Sequence, residues 1–383
     1  MILWEAGQSS TIAARAAVVG DFLPAWKFAA ETPRLETSDD WEHMARSLAS
    51  RFDDVALSFV NCECSLNTTG LAARPLDGLG DIVSASATCL EYLAAIRASV
   101  VGIANNHTYD FGPMGVQRTR SAIATRGLTP LGAGHTLETA PELFLWEGPR
   151  DIRVGFWAAA RATSVPSTRT NAGVEPATVK RAREALAQMK RSGAHSAIAL
   201  LHAGCLRTNY PSPEDLQLMD AIADAGFDIV AASHSHRISG ARIIVRDTGT
   251  PAFCFYGLGS IVSGFASSAV EREGLIVVAG LDANGTLARI ELRPVLLDGN
   301  GFGTVPTNAA SDAVLDRFRQ LSAHIAAGSS AQRFHAEISQ GLVRLYARDA
   351  QRAFQQGGMR GVVRKVRRIR MHHLRRLMHS VLP

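Results

Sequence analysis

The 383-residue chain is 46% hydrophobic and 20% charged, enough apolar content to bury a sizeable core and too much for a disordered polymer. Its formal net charge is +5, but the excess gathers in residues 359–383, so the body carries no broad basic footprint for nucleic acid. Five scattered cysteines, Cys62, Cys64, Cys89, Cys205 and Cys254, do not make a disulfide framework. With no basic segment leading into a long apolar run at Met1 to Gln8 and no run of membrane-spanning length, the expectation is a cytoplasmic protein.

Taken in order, Ala16-Ala17-Val18-Val19 reads as a short buried strand that stops at Gly20-Asp21-Phe22-Leu23-Pro24. Trp41, Met44 and Leu48 at helical spacing predict a helix over 40–50. The next strand, Val55 to Val60, leads into Asn61-Cys62-Glu63-Cys64. Strand alternation puts Asn61 and Glu63 on one face and the two cysteines on the other. A thiolate metal site at Cys62-x-Cys64 would need a second cysteine pair, which the chain lacks. Residues 88–97 read as a helix.

Val100 to Ala104 is again a β-branched apolar run. It ends in Asn105-Asn106-His107-Thr108-Tyr109-Asp110-Phe111-Gly112, which offers an amide oxygen, an imidazole and a carboxylate able to orient that imidazole. A helix over 115–125 follows. Gly132-x-Gly134 reads as a turn, because a phosphate cradle would need a third glycine between strand and helix. A strand over 153–157 and an amphipathic helix over 175–191 come next. Two further strands end in ligands: Ala197 to Leu201 in His202, and Phe227 to Ala232 in Ser233-His234-Ser235-His236, with a helix over 213–225 between them. If the chain stays extended, His234 and His236 share a face; if it turns, they can grip different metals.

Asp21, Glu63, Asn106, His107, His202, His234 and His236 therefore all follow the C-terminal ends of predicted buried strands, the edge where open α/β sheets form ligand crevices. Mixed oxygen and nitrogen donors suit Mn, Fe or Zn. Six ligands are too many for one open site, so two divalent transition metals are expected, an arrangement that activates water and supports phosphoryl displacement. His107, left free beside Asp110, is the expected general acid for the leaving oxygen.

The order Gly20-Asp21, Asn61-x-Glu63, Asn105-Asn106-His107-x-x-Asp110-x-Gly112, Gly132-Ala133-Gly134, His202-x-Gly204 and His234-x-His236 resembles the bacterial CapA family, associated with poly-gamma-glutamate capsule synthesis, within the calcineurin-like metallophosphoesterase superfamily. The resemblance covers about residues 15 to 300. It implies a four-layer α/β/β/α metallophosphoesterase-like sandwich, with Asp21, Glu63, Asn106, His202, His234 and His236 as metal ligands and His107 as catalytic imidazole. The chain departs from the pattern in three places. Asp21-Phe22-Leu23 replaces Asp-x-His, His202-Ala203-Gly204-Cys205-Leu206-Arg207 replaces His-Trp-Gly-x-Glu-Tyr, and Leu258-Gly259-Ser260-Ile261 replaces Leu-Gly-Asn-Phe.

The Gly299-Asn300-Gly301-Phe302-Gly303 stretch reads as flexible, at the join between a 1–300 metallophosphoesterase-like domain and a helical 301–383 region; Pro306 to Ser311 can serve as the boundary, and helices are expected over 312–325 and 331–354. Beyond Met359, Val362, Val366, Ile369, Leu374, Leu377 and Val381 fall near one stripe and arginines crowd the rest, a basic amphipathic helix suited to peripheral contact with an anionic membrane or an acidic partner. The functional expectation is a metal-dependent hydrolase, a phosphoesterase acting on a small molecule or an acidic polymer. The competing reading is a biosynthesis or assembly factor for such a polymer with little turnover, and spacing alone leaves acyl or amide chemistry at the same metals open.

Overall fold

Short apolar runs make the main strands of the computed structural model, which describes residues 1–6, 11–26, 35, 37–73, 82–161 and 165–341. They are β1 (Ile2–Glu5), β2 (Ala14–Trp26), β3 (Leu57–Cys62), β4 (Ala98–Gly102), β5 (Thr129–Leu131), β6 (Phe144–Glu147), β7 (Arg153–Ala160), β8 (Ser196–Ala203), β9 (Ile229–His234), β10 (Ala241–Val245), β11 (Pro251–Phe255), β12 (Ser260–Gly264), β13 (Glu273–Leu281) and β14 (Leu287–Leu297). One sheet runs in the order β1-β14-β13-β2-β3-β4-β5, with β2 to β5 mutually parallel. The other runs β10-β11-β9-β8-β7-β6, with β11, β9, β8 and β7 parallel.

Period-two alternation decides what each strand faces. Ile198 and Leu200 of β8 join Phe156 of β7 and Phe59 of β3 in a core between the sheets, where the Phe59 and Phe156 rings meet edge-on at 5.6 Å. The alternate residues Ala197, Ala199 and Leu201 face outward, against Leu186 and Met189 of helix α4 (Val179–Arg191) and Met219 and Ile222 of α5 (Pro213–Asp224). On the far side of the first sheet lie α1 (Ser38–Ala49), α2 (Leu90–Ala95) and α3 (Gly112–Thr125); Trp41 of α1 and Tyr92 of α2 both pack on Phe22 of β2. The result is the expected four-layer α/β/β/α sandwich.

The first strand does not stop at Asp21. It runs on to Trp26 because β12 pairs in parallel with its second half, and Ser260 stands opposite Asp21. The register against β3 shifts between Val19 and Asp21, at Gly20, where a Cβ would collide with the Gly259 carbonyl oxygen. The helix expected from residue 175 begins only at Val179, after the N-cap Thr178; Glu175 instead lies in a buried ion pair with Arg181.

Nor is 299–303 a flexible join. It is the turn of a hairpin in which Gly303–Thr304 pairs back on β14, and Phe302 is fully buried among Trp26, Trp41 and Tyr92. The helix that follows, α6 (Asn308–Ala326), lies against the sandwich through Phe318 on Phe255 and Ile325 in the outer core. Residues 330–341 are helical; the remainder of the helix expected over 331–354 and the basic segment 359–383 lie outside the described residues. No helix among the described residues is long and apolar enough to cross a membrane.

Candidate metal centre

The bulged middle of β2 and the carboxyl ends of β3, β4, β8 and β9 meet at one rim. Asp21, on the bulged part of β2, is fully buried; its Oδ2 accepts the His234 amide at 2.9 Å and its Oδ1 accepts Asn61 Nδ2 at 2.7 Å. Glu63 leaves the end of β3 with its amide on the Phe22 carbonyl at 3.0 Å and its side chain 1% exposed. His202 Nε2 lies 2.6 Å from Asn106 Oδ1 and 3.5 Å from Glu63 Oε1, and its ring sits 4.5 Å from that of His234. His236 reaches both carboxylates, with Nδ1 at 3.1 Å from Asp21 Oδ2 and Nε2 at 3.7 Å from Glu63 Oε2.

Backbone turns explain how the two neighbouring histidines reach different places. His234 has φ +103° and His236 φ +54°, left-handed values that side chains rarely adopt, so the chain turns instead of staying extended. The donor atoms of Glu63, His202 and His234 lie within 4.8 Å of one another, and so do those of Asp21, Glu63 and His236. Glu63 belongs to both groups.

His107 stands at the edge. Its Nδ1 is 2.8 Å from Asp110 Oδ2, an oxygen that also accepts the Val83 amide at 2.9 Å, and its Nε2 points to Glu63 at 3.9 Å. The bond through Nδ1 fixes the ring and leaves Nε2 towards the centre.

Electrostatics separate the residues. Burial pushes Glu63 up to about 8, aided by the Asp21 carboxylate and opposed by His236. Burial would also raise Asp21, but its hydrogen bond to His236 and the charges of His236 and His202 hold it below the usual carboxylate range. His202 is pulled down by burial to about 3, and His234 well below the usual histidine value by burial and by His202 and His236. Burial opposes protonation of His236 as well, yet Glu63 and Asp21 raise it to about 9. For His107 the Asp110 hydrogen bond and the Glu63 charge outweigh burial and raise it.

Among the described residues, both carboxyl oxygens of Glu63 and Nδ1 of His234 are buried with no hydrogen-bond partner. Buried polar atoms left in that state cost several kcal/mol unless something coordinates them. Two neutral imidazoles, two carboxylates and the Asn106 amide oxygen are the donor set that borderline divalent metals take. The residues fit such an ion, and Glu63 belongs to both candidate groups.

The eight expected residues are thus brought together: Glu63 with five around it, and His107 and Asp110 flanking. Sequence reasoning passed over what holds them. Asn105 donates to the Cys62 carbonyl at 2.8 Å, and its Oδ1 accepts the His107 amide at 3.1 Å and Thr108 Oγ1 at 3.0 Å. Asn61 ties Asp21 to the neighbourhood of His202 Nδ1, 3.2 Å away, and Ser233 Oγ lies 3.3 Å from that same nitrogen. The paired asparagines at 105 and 106 were the available signal, since a second amide beside a ligand is a natural brace. Cys62 and Cys64 lie together at 3.6 Å, as alternation predicts, and neither candidate ligand group contains a cysteine.

A family model described as bacterial capsule synthesis protein PGA_cap matches residues 15–264. The PGA biosynthesis protein CapA of Bacillus subtilis (strain 168) is 27% identical over 213 residues, covering 54% of this chain and 53% of that protein. A probable polyglutamine synthesis accessory protein of Mycobacterium tuberculosis (strain ATCC 25618 / H37Rv) is 31% identical over 221 residues, covering 53% of this chain and 57% of that one. The chain spans about half the length of the curated relatives it matches. Similar solved structures include a 5'-nucleotidase precursor from Thermus thermophilus, with TM-score 0.46, 13% identity and coverage of 80% of this chain and 58% of that one. Another is the calcineurin-like phosphoesterase YfkN from Bacillus subtilis, with TM-score 0.43, 11% identity and coverage of 81% and 98%. The matched span takes in Asp21, Glu63, Asn106, His202, His234 and His236, and the chain belongs to the bacterial capsule synthesis protein PGA_cap family.

Proposed function

We propose that the chain is a metal-dependent hydrolase of phosphoesters. The observation that carries this reading is Glu63: a buried carboxyl, shared by two ligand groups, with both oxygens lacking hydrogen-bond partners among the described residues. Asp21 and His236 with Glu63 would hold one divalent ion, and His202, His234 and Asn106 with Glu63 a second. Bound there, such ions would supply Lewis acidity towards a phosphoryl oxygen and make a nearby water more acidic. Asn61 fixes the Asp21 carboxylate, and the His234 amide fixes its other oxygen. His107, oriented by Asp110 and carrying a proton on the side facing Glu63, gives that proton to the departing oxygen.

A second reading has its own support. The curated relatives are named for polymer synthesis or as accessory proteins, and Ser260, not a stronger ligand, stands 3.3 Å from His236 Nδ1. On that reading the centre binds an acidic polymer, such as poly-gamma-glutamate, and turns it over poorly. Metal analysis followed by a panel of phosphomonoesters, phosphodiesters and glutamyl peptides separates the two. Metal-dependent release of phosphate or alcohol supports the hydrolase. Retained metal with polymer binding and no turnover on any arm supports the assembly role, and cleavage confined to the peptides transfers the same centre to amide chemistry.

A further inference from the structure

The second sheet sends arginines to the same edge that carries the metal ligands. Arg161 follows β7, and its amide donates to the His202 carbonyl at 3.0 Å, but its guanidinium is held by Asp215 and Ser212. Arg207 and Arg237 are held differently. The Arg207 amide donates to the Ser235 carbonyl at 2.9 Å, between His234 at the end of β9 and His236 beyond it, and Arg237 directly follows His236. Both face one acceptor: Glu271 Oε1 lies 3.2 Å from Arg237 Nη2 and 3.5 Å from Arg207 Nε, while Glu271 Oε2 accepts the amide and hydroxyl of Ser267.

That pairing leaves donors over. Arg237 Nη1 reaches Asn209 Oδ1 at 3.2 Å, but its Nε is buried without a partner among the described residues. Arg207 donates no side-chain hydrogen bond among the described residues, and its side chain is 53% exposed. Glu337, a further acid at this rim, accepts the Asn209 amide at 2.7 Å. Arg207 also has φ +61°, a conformation that costs on the order of 1 kcal/mol or more for a residue other than glycine. An ordinary solvent-facing ion pair contributes little and would not require that turn. The turn sets the Arg207 backbone against Ser235, between His234 and His236 in the chain, and its guanidinium offers planar donors suited to a two-oxygen anion.

We propose that Arg207, backed by Arg237, is an oxyanion subsite that receives a second anionic group of the substrate, carboxylate or phosphate, beside the metal centre. The inference rests on the reading that substrate binds at that centre, and it makes multiply charged substrates the preferred class. The test uses the full-length, metal-loaded chain and two dye-labelled tripeptides, one of three glutamates and one of three phosphoserines, followed by fluorescence anisotropy. The parent should bind at least one peptide, and Arg207→Gln should weaken that binding about tenfold, the loss expected for one charge-assisted contact, with metal content unchanged. Arg207→Lys should restore part of it, and the peptide that responds identifies the anion. Failure of the parent to bind either peptide, or equal affinity in parent and Arg207→Gln, overturns the subsite. The hydrolase reading fails separately: loss of binding in Arg207→Gln with no ester turnover in the parent leaves the subsite standing, whereas turnover with unaltered peptide affinity removes only the subsite.

Discussion

Replacing Glu63 by glutamine keeps the shape of the side chain and removes its charge, and the environment of Glu63 dictates opposite effects with and without metal. Without metal, burial pushes Glu63 from its ordinary 4.5 up to about 8. A carboxyl raised in the folded state contributes its full stability below 4.5 and loses it progressively as pH climbs to about 8. That window of 8 − 4.5 = 3.5 pH units, at about 1.4 kcal/mol each, amounts to on the order of 5 kcal/mol. The Glu63→Gln variant has no such loss. In chelator it should therefore be more stable than the parent at pH 8.5, by a few kcal/mol, and nearly equal to it at pH 5. Mn or Zn in large excess should invert the order, because the parent gains about 6.8 kcal/mol at a metal concentration about 10⁵ times Kd, more than the loss on ionisation, while the variant lacks the shared ligand. Ligands must also lose protons to bind, so metal uptake by the parent should strengthen as pH rises towards 8. Urea unfolding followed by tryptophan fluorescence at both pH values, with metal content by mass spectrometry, reads all of this. A variant less stable than the parent in chelator at pH 8.5, or one that retains the parent's metal content, refutes the reasoning.

His107→Ala should keep its metal and lose about 10²- to 10⁴-fold in kcat on an aryl phosphodiester, since the ring touches the centre only through a proton; loss of metal along with activity would make it a ligand instead. Asn61→Ala releases Asp21 Oδ1 and should weaken metal binding about 10- to 100-fold in calorimetry, with unchanged affinity arguing that the brace is idle. Phe302→Ala empties a fully buried ring position in the supposed join and should cost about 3 to 5 kcal/mol in chemical denaturation, whereas a loss below about 1 kcal/mol would mean that the hairpin does not carry the core.

The layered α/β architecture and the list of candidate ligands were legible in the sequence because their signals are local. A β-branched run that breaks at Asn106, His202 or His234 states both that a strand is buried and that its end is polar, and period-two alternation places Asn61 with Glu63 and Cys62 with Cys64 without any tertiary knowledge. The turn that sends His234 and His236 to different groups is not local in that sense. His234 holds its left-handed φ where its amide donates to the Asp21 carboxylate, distant in sequence, and the His236 ring reaches that same carboxylate. The same holds for the continuation of β2 past Asp21, which needs β12, and for Phe302, which reads as a loop residue until Trp26, Trp41 and Tyr92 surround it. Arg207 had no signal at all, since only folding brings it to Ser235 and Glu271. Hydrophobic pattern and strand-end polarity are properties of a few consecutive residues and survive in one dimension; pairing partners, buried charge and the raised proton affinity of Glu63 depend on which distant segments exclude water, and the packed sheets alone decide that.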